Sequence, residues 1–192
     1  MALEPGERAP DFTLPNHRLE PVTLSSFVGE KNVLIVYYPR AFTPICRGEL
    51  CQLRDEIQIY KWYNVQILGV SVDQPFSLRA WAEEQGCPFP LLSDFWPHGE
   101  VATTYGTFDD ANGVARRGTF LIDSQGIIRF AHVQDQDQPR DQRTWKEAVA
   151  KLLDPDPSYQ PAITVPAATG EWISLDHDGE GDADAGSHGV RC

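Results

Sequence analysis

Two continuous apolar runs, NVLIVYY at 32–38 and VQILGVSV at 65–72, constrain this chain more than any other feature. Neither alternates polar with apolar, so each predicts a strand covered on both faces. Between them Leu50, Leu53, Ile57 and Tyr60 recur at helical spacing, which predicts an amphipathic helix over roughly 45–61. Strand, helix and strand in that order imply parallel neighbours joined by a right-handed crossover. A further helix is expected over 77–86, with Ser77 as N-cap and Gly86 as its stop. In GTFLIDSQGIIRFAHV (118–133) two apolar runs flank a turn-rich tetrad, which predicts a β-hairpin. TWKEAVAKLL predicts a last helix with a Thr144/Glu147 capping box and an apolar face of Trp145, Val149, Leu152 and Leu153. DFTLP and EPVTLSSF near the start read as a small additional hairpin. The expected class is α/β, a central mixed sheet flanked by helices.

A chain of 192 residues suffices for one domain with a proper core plus a tail. The expected division is a domain over 1–153 and an acidic Pro/Gly-rich tail over 154–192, read as mobile because eight acids there face one base. Within it only AITV and EWISL offer apolar pieces that could dock on the domain, and DHDGEGDADAG lacks the spacing of a calcium loop. A net charge of −12 argues against nucleic acid or an anionic membrane as partner. No apolar run approaches the ~18 residues of a membrane helix. MALEPGERAPDF carries acids and prolines where an export signal needs an apolar segment, so a cytoplasmic chain is expected. Its four cysteines then read as thiols rather than a disulfide framework.

The chemistry concentrates in YYPRAFTPICRGELC, residues 37–51. Thr43 is a good N-cap and Pro44 suits the first helical position, which places Cys46 in the first turn. There the unpaired backbone N–H groups and the positive end of the helix dipole favour thiolate, the reactive form. Cys46 shares a face with Leu50, Leu53 and Ile57, so it is expected to point inward; the alternative is a small, inert core cysteine. Metal binding would want closely spaced Cys and His, which the scattered histidines do not supply. The chain has no G-x-G-x-x-G or Walker loop for a nucleotide cofactor, and no C-x-x-C for a disulfide reductase. No cofactor and no metal are expected.

Pro39, Thr43 and Cys46 form P-x-x-x-T-x-x-C directly after a buried strand, which resembles the active-site signature of peroxiredoxins, thiol peroxidases on the thioredoxin fold. APDFTL, NVLIVYYPRAFTPICRGEL, FPLLSDFWPHG, YGTF and RGTFLIDSQGIIRF are similar to the alkyl hydroperoxide reductase E-type, or one-cysteine, peroxiredoxins of actinobacteria. The resemblance spans roughly residues 8 to 153 and leaves out the acidic tail.

The resemblance implies roles. Cys46 would be the peroxidatic nucleophile, the Thr43 hydroxyl would bond the peroxide and the thiolate, and Pro39 would shield the sulfur from water. The family pattern R-G-T-F selects Arg117 as the partner guanidinium, and strand periodicity sends Arg116 to the other face. Glu49 would hold the arginine, although it could equally be a helix-surface acid. Cys51 departs from the one-cysteine pattern. C-x-x-x-x-C is similar to the bacterioferritin-comigratory, or Q-type, peroxiredoxins, which join the two positions in a disulfide. Cα atoms five apart on an intact helix lie about 8.7 Å apart, beyond the ~7 Å that disulfides span. Such a bond therefore requires the first turns to unwind. Arg54, Asp55 and Gln58 share the side of Cys51, so that side reads as a polar face. Cys87 reads as structural, with resolver as a lesser option, and Cys192 as a free or intermolecular thiol. Hydrogen peroxide, organic hydroperoxides or peroxynitrite would be substrates and thioredoxin, or mycothiol with mycoredoxin, the reductant. The family suggests a homodimer, with Trp96 and Phe42 at the site or an interface. The rival reading is a redox-sensing or holdase-like binding protein that oxidises Cys46 and turns over poorly.

Overall fold

The structure, a computed structural model, describes residues 3–152 and, beyond them, only the backbone of residues 165–166 and 172–173. The chain opens with a hairpin of β1 (Thr13–Pro15) and β2 (Pro21–Thr23), as the apolar pieces near the start predict. The first buried run forms β3 (Asn32–Tyr37), and α1 (Pro44–Asp55) and α2 (Ile57–Trp62) lead to the second, β4 (Val65–Ser71). Next come α3 (Pro75–Gln85), β5 (Leu91–Ser93), α4 (Glu100–Thr104), and a small hairpin of β6 (Phe108–Asp109) and β7 (Val114–Ala115). The predicted large hairpin is β8 (Arg117–Ile122) with β9 (Ile128–Gln134), and α5 (Arg143–Lys151) follows. A last antiparallel pair, β10 (Val165–Pro166) with β11 (Trp172–Ile173), starts at the end of the AITV piece and returns within EWISL. The other expectations for 154–192, mobility and the fate of Cys192, lie outside the described residues.

Five strands form one mixed sheet in the order β5-β4-β3-β8-β9. β3, β4 and β5 are parallel, and β8 and β9 are antiparallel to their neighbours. β3 sits at the centre, and its alternate residues serve two cores. Leu34, Val36 and Tyr38 pack with Leu50, Leu53, Trp81 and Trp145 from α1, α3 and α5. Val33, Ile35 and Tyr37 pack with Phe12, Leu24, Ala102, Tyr105 and Phe120 on the other side. Burial on both faces is why the run reads as continuously apolar rather than alternating.

Three local expectations need correcting. The helix predicted over 45–61 is two helices, broken at Glu56 (φ −99°, ψ 12°) with no glycine or proline to announce it. Glu56 there pairs with Lys146 of α5. α3 begins at Pro75, with Gln74 rather than Ser77 before it, because proline's missing N–H costs nothing at the first helical position. Its Gly86 stop adopts the left-handed conformation expected of it (φ 61°, ψ 39°). The Thr144/Glu147 box does not form, since α5 already starts at Arg143, two residues before the box would start it, and the Thr144 hydroxyl donates to the Asp141 carbonyl. Trp145, Val149 and Leu152 are buried as the spacing predicts, and Leu153, the fourth residue of that face, lies outside the described residues.

Gly118, on β8, leaves no space for a side chain: a Cβ would come within 2.4 Å of Thr107 Cγ2 and 3.1 Å of the Phe120 ring. Thr107 is fully buried and cannot swing away. Gly118→Ala should therefore lower stability by about 1–3 kcal/mol, as overpacking of a dense core does. Urea unfolding monitored by tryptophan fluorescence measures it.

Candidate active site

The strand-to-helix corner at Tyr38–Pro44 is built by local bonds. Tyr38 extends the β3–β4 pairing by one residue, its N–H donating to the Val70 carbonyl at 3.0 Å. Pro39 follows, buried. Arg40 reaches across to the Asn112 carbonyl (3.2 Å). Phe42 then adopts a left-handed backbone (φ 62°) and lays its ring 6.0 Å from that of Trp81. For a bulky aromatic residue this is a strained conformation, costing about 1–3 kcal/mol.

Thr43 occupies the N-cap position in extended geometry, but its side chain does not cap the helix. Its hydroxyl instead donates to the Arg40 carbonyl at 3.0 Å. The sequence expectation is right about position and wrong about the bond. The first-turn N–H groups are thereby left uncapped by Thr43, at the positive end of a twelve-residue helix.

Cys46 lies in that turn as a free thiol, with no exposed surface. β8 runs antiparallel to β3 with Val36 opposite Thr119, so its first residue, Arg117, falls where β3 ends and α1 begins. Arg117 Nη1 donates to Cys46 Sγ at 3.4 Å and to Glu49 Oε2 at 2.7 Å. Its Nε is held by the Gln136 carbonyl at 2.9 Å. Arg116 points the other way and donates to the Gly106 carbonyl.

Glu49 is buried, one turn along α1 from Cys46. The residue that completes its surroundings, Arg140, escapes the sequence reading. Arg140 donates through its backbone N–H and Nε to Glu49 Oε1 and through Nη2 to Oε2, all between 2.7 and 3.1 Å. Its Nη1 reaches the Tyr37 and Gly118 carbonyls, binding β3, β8 and α1 together. The neighbouring Gln142 donates to the Glu49 carbonyl oxygen at 3.0 Å. Burial alone would raise the Glu49 carboxyl, but Arg140 and then Arg117 hold it below the ordinary 4.5.

Pro39, Thr43, Cys46, Glu49 and Arg117 thus converge on one corner. Cys51 is elsewhere, and two expectations for it fail: it is 2% exposed rather than on a polar face, with Sγ 3.4 Å from Gln85 Oε1, and it is disulfide-bonded rather than a free thiol. The end of α3 covers that side of α1, fastened by Arg54 Nη1 donating to the Gln85 carbonyl at 2.6 Å. Both cysteines belong to one unbroken helix. Cys87 is a half-buried free thiol whose pKa burial pushes up to about 12, partly offset by Arg54. At neutral pH it stays protonated and is a poor nucleophile. No cluster of His, Cys, Asp or Glu able to hold a metal is found among the described residues.

A cysteine at a helix entrance facing an arginine from the neighbouring antiparallel strand, on this sheet order, defines the peroxiredoxin class of thioredoxin-like proteins. Residues 5–131 match the model of the AhpC/TSA family, and the chain belongs to that family. It is 49% identical over 150 residues to alkyl hydroperoxide reductase E of Mycobacterium bovis, covering 78% of this chain and 98% of that one. Among solved structures it resembles peroxidoxin BcpB of Mycobacterium tuberculosis, with TM-score 0.68, 28% identity, and coverage of 78% and 96%. AhpC of Enterococcus faecalis superposes with TM-score 0.71 at 25% identity, over 78% and 92% of the two chains.

Glu49→Gln would leave two buried guanidinium groups without their counter-ion. It should cost about 3–5 kcal/mol at pH 7, the usual penalty for breaking a buried pair. Because the folded carboxyl titrates below 4.5, its contribution is complete above that pH and disappears as pH falls through its lowered value. Denaturant titrations at pH 7, 4.5 and 3 should show the wild type converging on the variant only at the acid end.

Proposed function

We infer that this chain is a thiol-dependent peroxidase, with Cys46 as its nucleophile. The observation that carries the reading is Arg117 Nη1 at 3.4 Å from a cysteine sulfur in the first turn of a helix. The Cys46 thiolate attacks one peroxide oxygen, a sulfur–oxygen bond forms, and the O–O bond breaks. The departing alkoxide or hydroxide takes up a proton, and the sulfur is left as a sulfenic acid. The Thr43 hydroxyl and the first-turn N–H groups orient the peroxide, Pro39 shields the sulfur, and Arg117 stabilises charge on the leaving oxygen. Glu49 holds Arg117 in place.

Hydrogen peroxide, organic hydroperoxides and peroxynitrite are the substrates of this reading. Its reductant is thioredoxin, or mycothiol with mycoredoxin. A thiol must condense with the sulfenic acid. With no exposed sulfur and an intact first turn, neither a protein thiol nor Cys51, once its own disulfide is reduced, can reach Cys46 until that turn opens. Gly48 supports such opening. A Cβ there would meet nothing within 4 Å, so neither packing nor a turn calls for glycine in the helix. The exposed aromatics Phe42, Phe76, Phe95 and Trp96 supply apolar surface for a homodimer. The reading places the protein in the cytoplasm, where thiols are kept reduced. No helix among the described residues is long and apolar enough to cross a membrane.

Peroxide consumption with either recycling system tests the reading. Cys46→Ser should abolish it, and Arg117→Ala should slow it by about 10²–10³-fold, the cost of losing one donor to the leaving oxygen. Stoichiometric oxidation without turnover in both systems would favour the redox-sensing or holdase alternative. After one equivalent of peroxide, peptide mapping should find a Cys46–Cys51 bond that Cys51→Ser removes if Cys51 resolves; a bond to Cys87 or Cys192 instead assigns resolution there, and no protein disulfide on Cys46 assigns it to an external thiol. Gly48→Ala should raise stability by about 1 kcal/mol and slow reduction of the oxidised protein while sparing its reaction with peroxide, both measurable by stopped-flow fluorescence.

A further inference from the structure

Resting on the peroxidase reading, we propose that Asp73 is a positioning residue that sets the Pro39–Thr43 loop for reaction with peroxide. It lies two residues past the end of β4, outside the loop and the helix that carry the chemistry. Its Oδ2 accepts the Ala41 N–H at 2.8 Å and the Ser71 hydroxyl at 2.8 Å. Ser71 Oγ in turn accepts the Asp73 N–H at 3.3 Å, and Ser93 Oγ donates to the Asp73 carbonyl at 2.6 Å. Both serines are buried, one at the end of β4 and the other at the end of β5. The carboxylate is therefore anchored to two strand ends of the sheet, and what it holds is one amide of the reactive loop.

That amide is well chosen. Ala41 immediately precedes Phe42, the residue in the left-handed region, and is itself 8% exposed. A bulky residue keeps such a conformation only where its surroundings enforce it. Without an acceptor the Ala41 N–H would be orphaned in the interior, and the loop would relax towards a geometry that satisfies it. Relaxation at Phe42 rotates everything after it, beginning with the Thr43 hydroxyl and the open N–H groups of the helix start. The sulfur's partners on its far side are not involved, because Arg117, Glu49 and Arg140 are tied to β8, α1 and each other. Asp73 thus acts on the peroxide-orienting half of the site and not on the half that presents the guanidinium.

This division yields a split that a general structural role would not. Asp73→Ala should lower the rate constant with hydrogen peroxide by at least about 10-fold, since small misplacements of orienting groups carry large kinetic costs. Alkylation of Cys46 by iodoacetamide, which needs no oriented O–O bond and only access to the sulfur, should not fall below about one third of the wild-type rate. Asp73→Asn keeps an acceptor oxygen and should restore the peroxide rate to within about 3-fold. Hydrogen exchange should find the Ala41 amide protected in wild type and Asp73→Asn and fast in Asp73→Ala. Should Asp73→Ala not fold, Ser71→Ala, which removes the hydroxyl that orients the carboxylate, should show the same split in milder form. A wild-type peroxide rate in Asp73→Ala, a parallel fall in peroxide and alkylation rates, or no rescue by asparagine would overturn the proposal. If the wild-type protein consumes no peroxide, the peroxidase reading falls; the Ala41 amide then decides the clamp separately.

Discussion

The buried carboxylate of Glu49 is the constraint on which the rest of the site depends. It takes donors from two arginines that arrive from different parts of the chain and share its Oε2. One carboxylate and two guanidiniums leave a net positive charge in a volume closed to water. On the peroxidase reading, negative charge on the oxygen released as the O–O bond breaks is the natural complement to that excess. Buried ion pairs are poor evidence for stability, because desolvation consumes most of their attraction. Here the network's value is positional. It fixes one nitrogen of Arg117 against Cys46 and uses the remaining donors to brace three backbone segments.

Those segments meet because of the sheet's order. β3 ends where β8 begins, so the loop that launches α1 and the first residue of β8 are neighbours without any long excursion. The parallel β4 and β5 end on the same side and contribute Ser71, Asp73 and Ser93 beneath the loop. This follows the general tendency of α/β sheets to place chemistry beyond the carboxyl ends of their strands. The strained turn at Phe42 is supported by this rigid base of strand ends, which makes a costly conformation persistent.

Much of this was legible in the sequence, and the omissions have physical causes. Cys46, Thr43 and Pro39 lie within eight residues and follow a buried strand, so local propensity and motif point the same way. Arg117 was reached through the motif R-G-T-F, helped by strand alternation, which separates it from Arg116. Arg140 carried no local signal. It lies 91 residues from Glu49, in a polar stretch, PRDQR, with no periodicity, and only the fold makes it a buried partner. Cys51 departs from its expected exposure for a related reason: Arg54 beside it reads as a solvent-facing residue, whereas that guanidinium fastens the end of α3 over the same face. Helix starts at 75 and 143 differ from the expected caps because a proline and a preceding aspartate define them equally well.

The two halves of α1 are held very differently, and the distribution has a consequence for turnover. From Glu49 onward the helix is pinned by the arginine network, by Gln142 on the Glu49 carbonyl, by the buried Leu50 and Leu53, and by Arg54. Before Glu49 it has an N-cap residue that does not cap, a proline, Gly48 with empty space around it, and one solvent-exposed ion pair, Arg47 with Glu84 of α3. Opening can therefore stop at Gly48 and free Cys46 without dismantling the charge network. A peroxide, being small, needs the closed arrangement in which its oxygens are gripped. A thiol partner, being large, needs the open one. On the peroxidase reading, a first turn held more loosely than the rest of α1 lets one helix meet both demands.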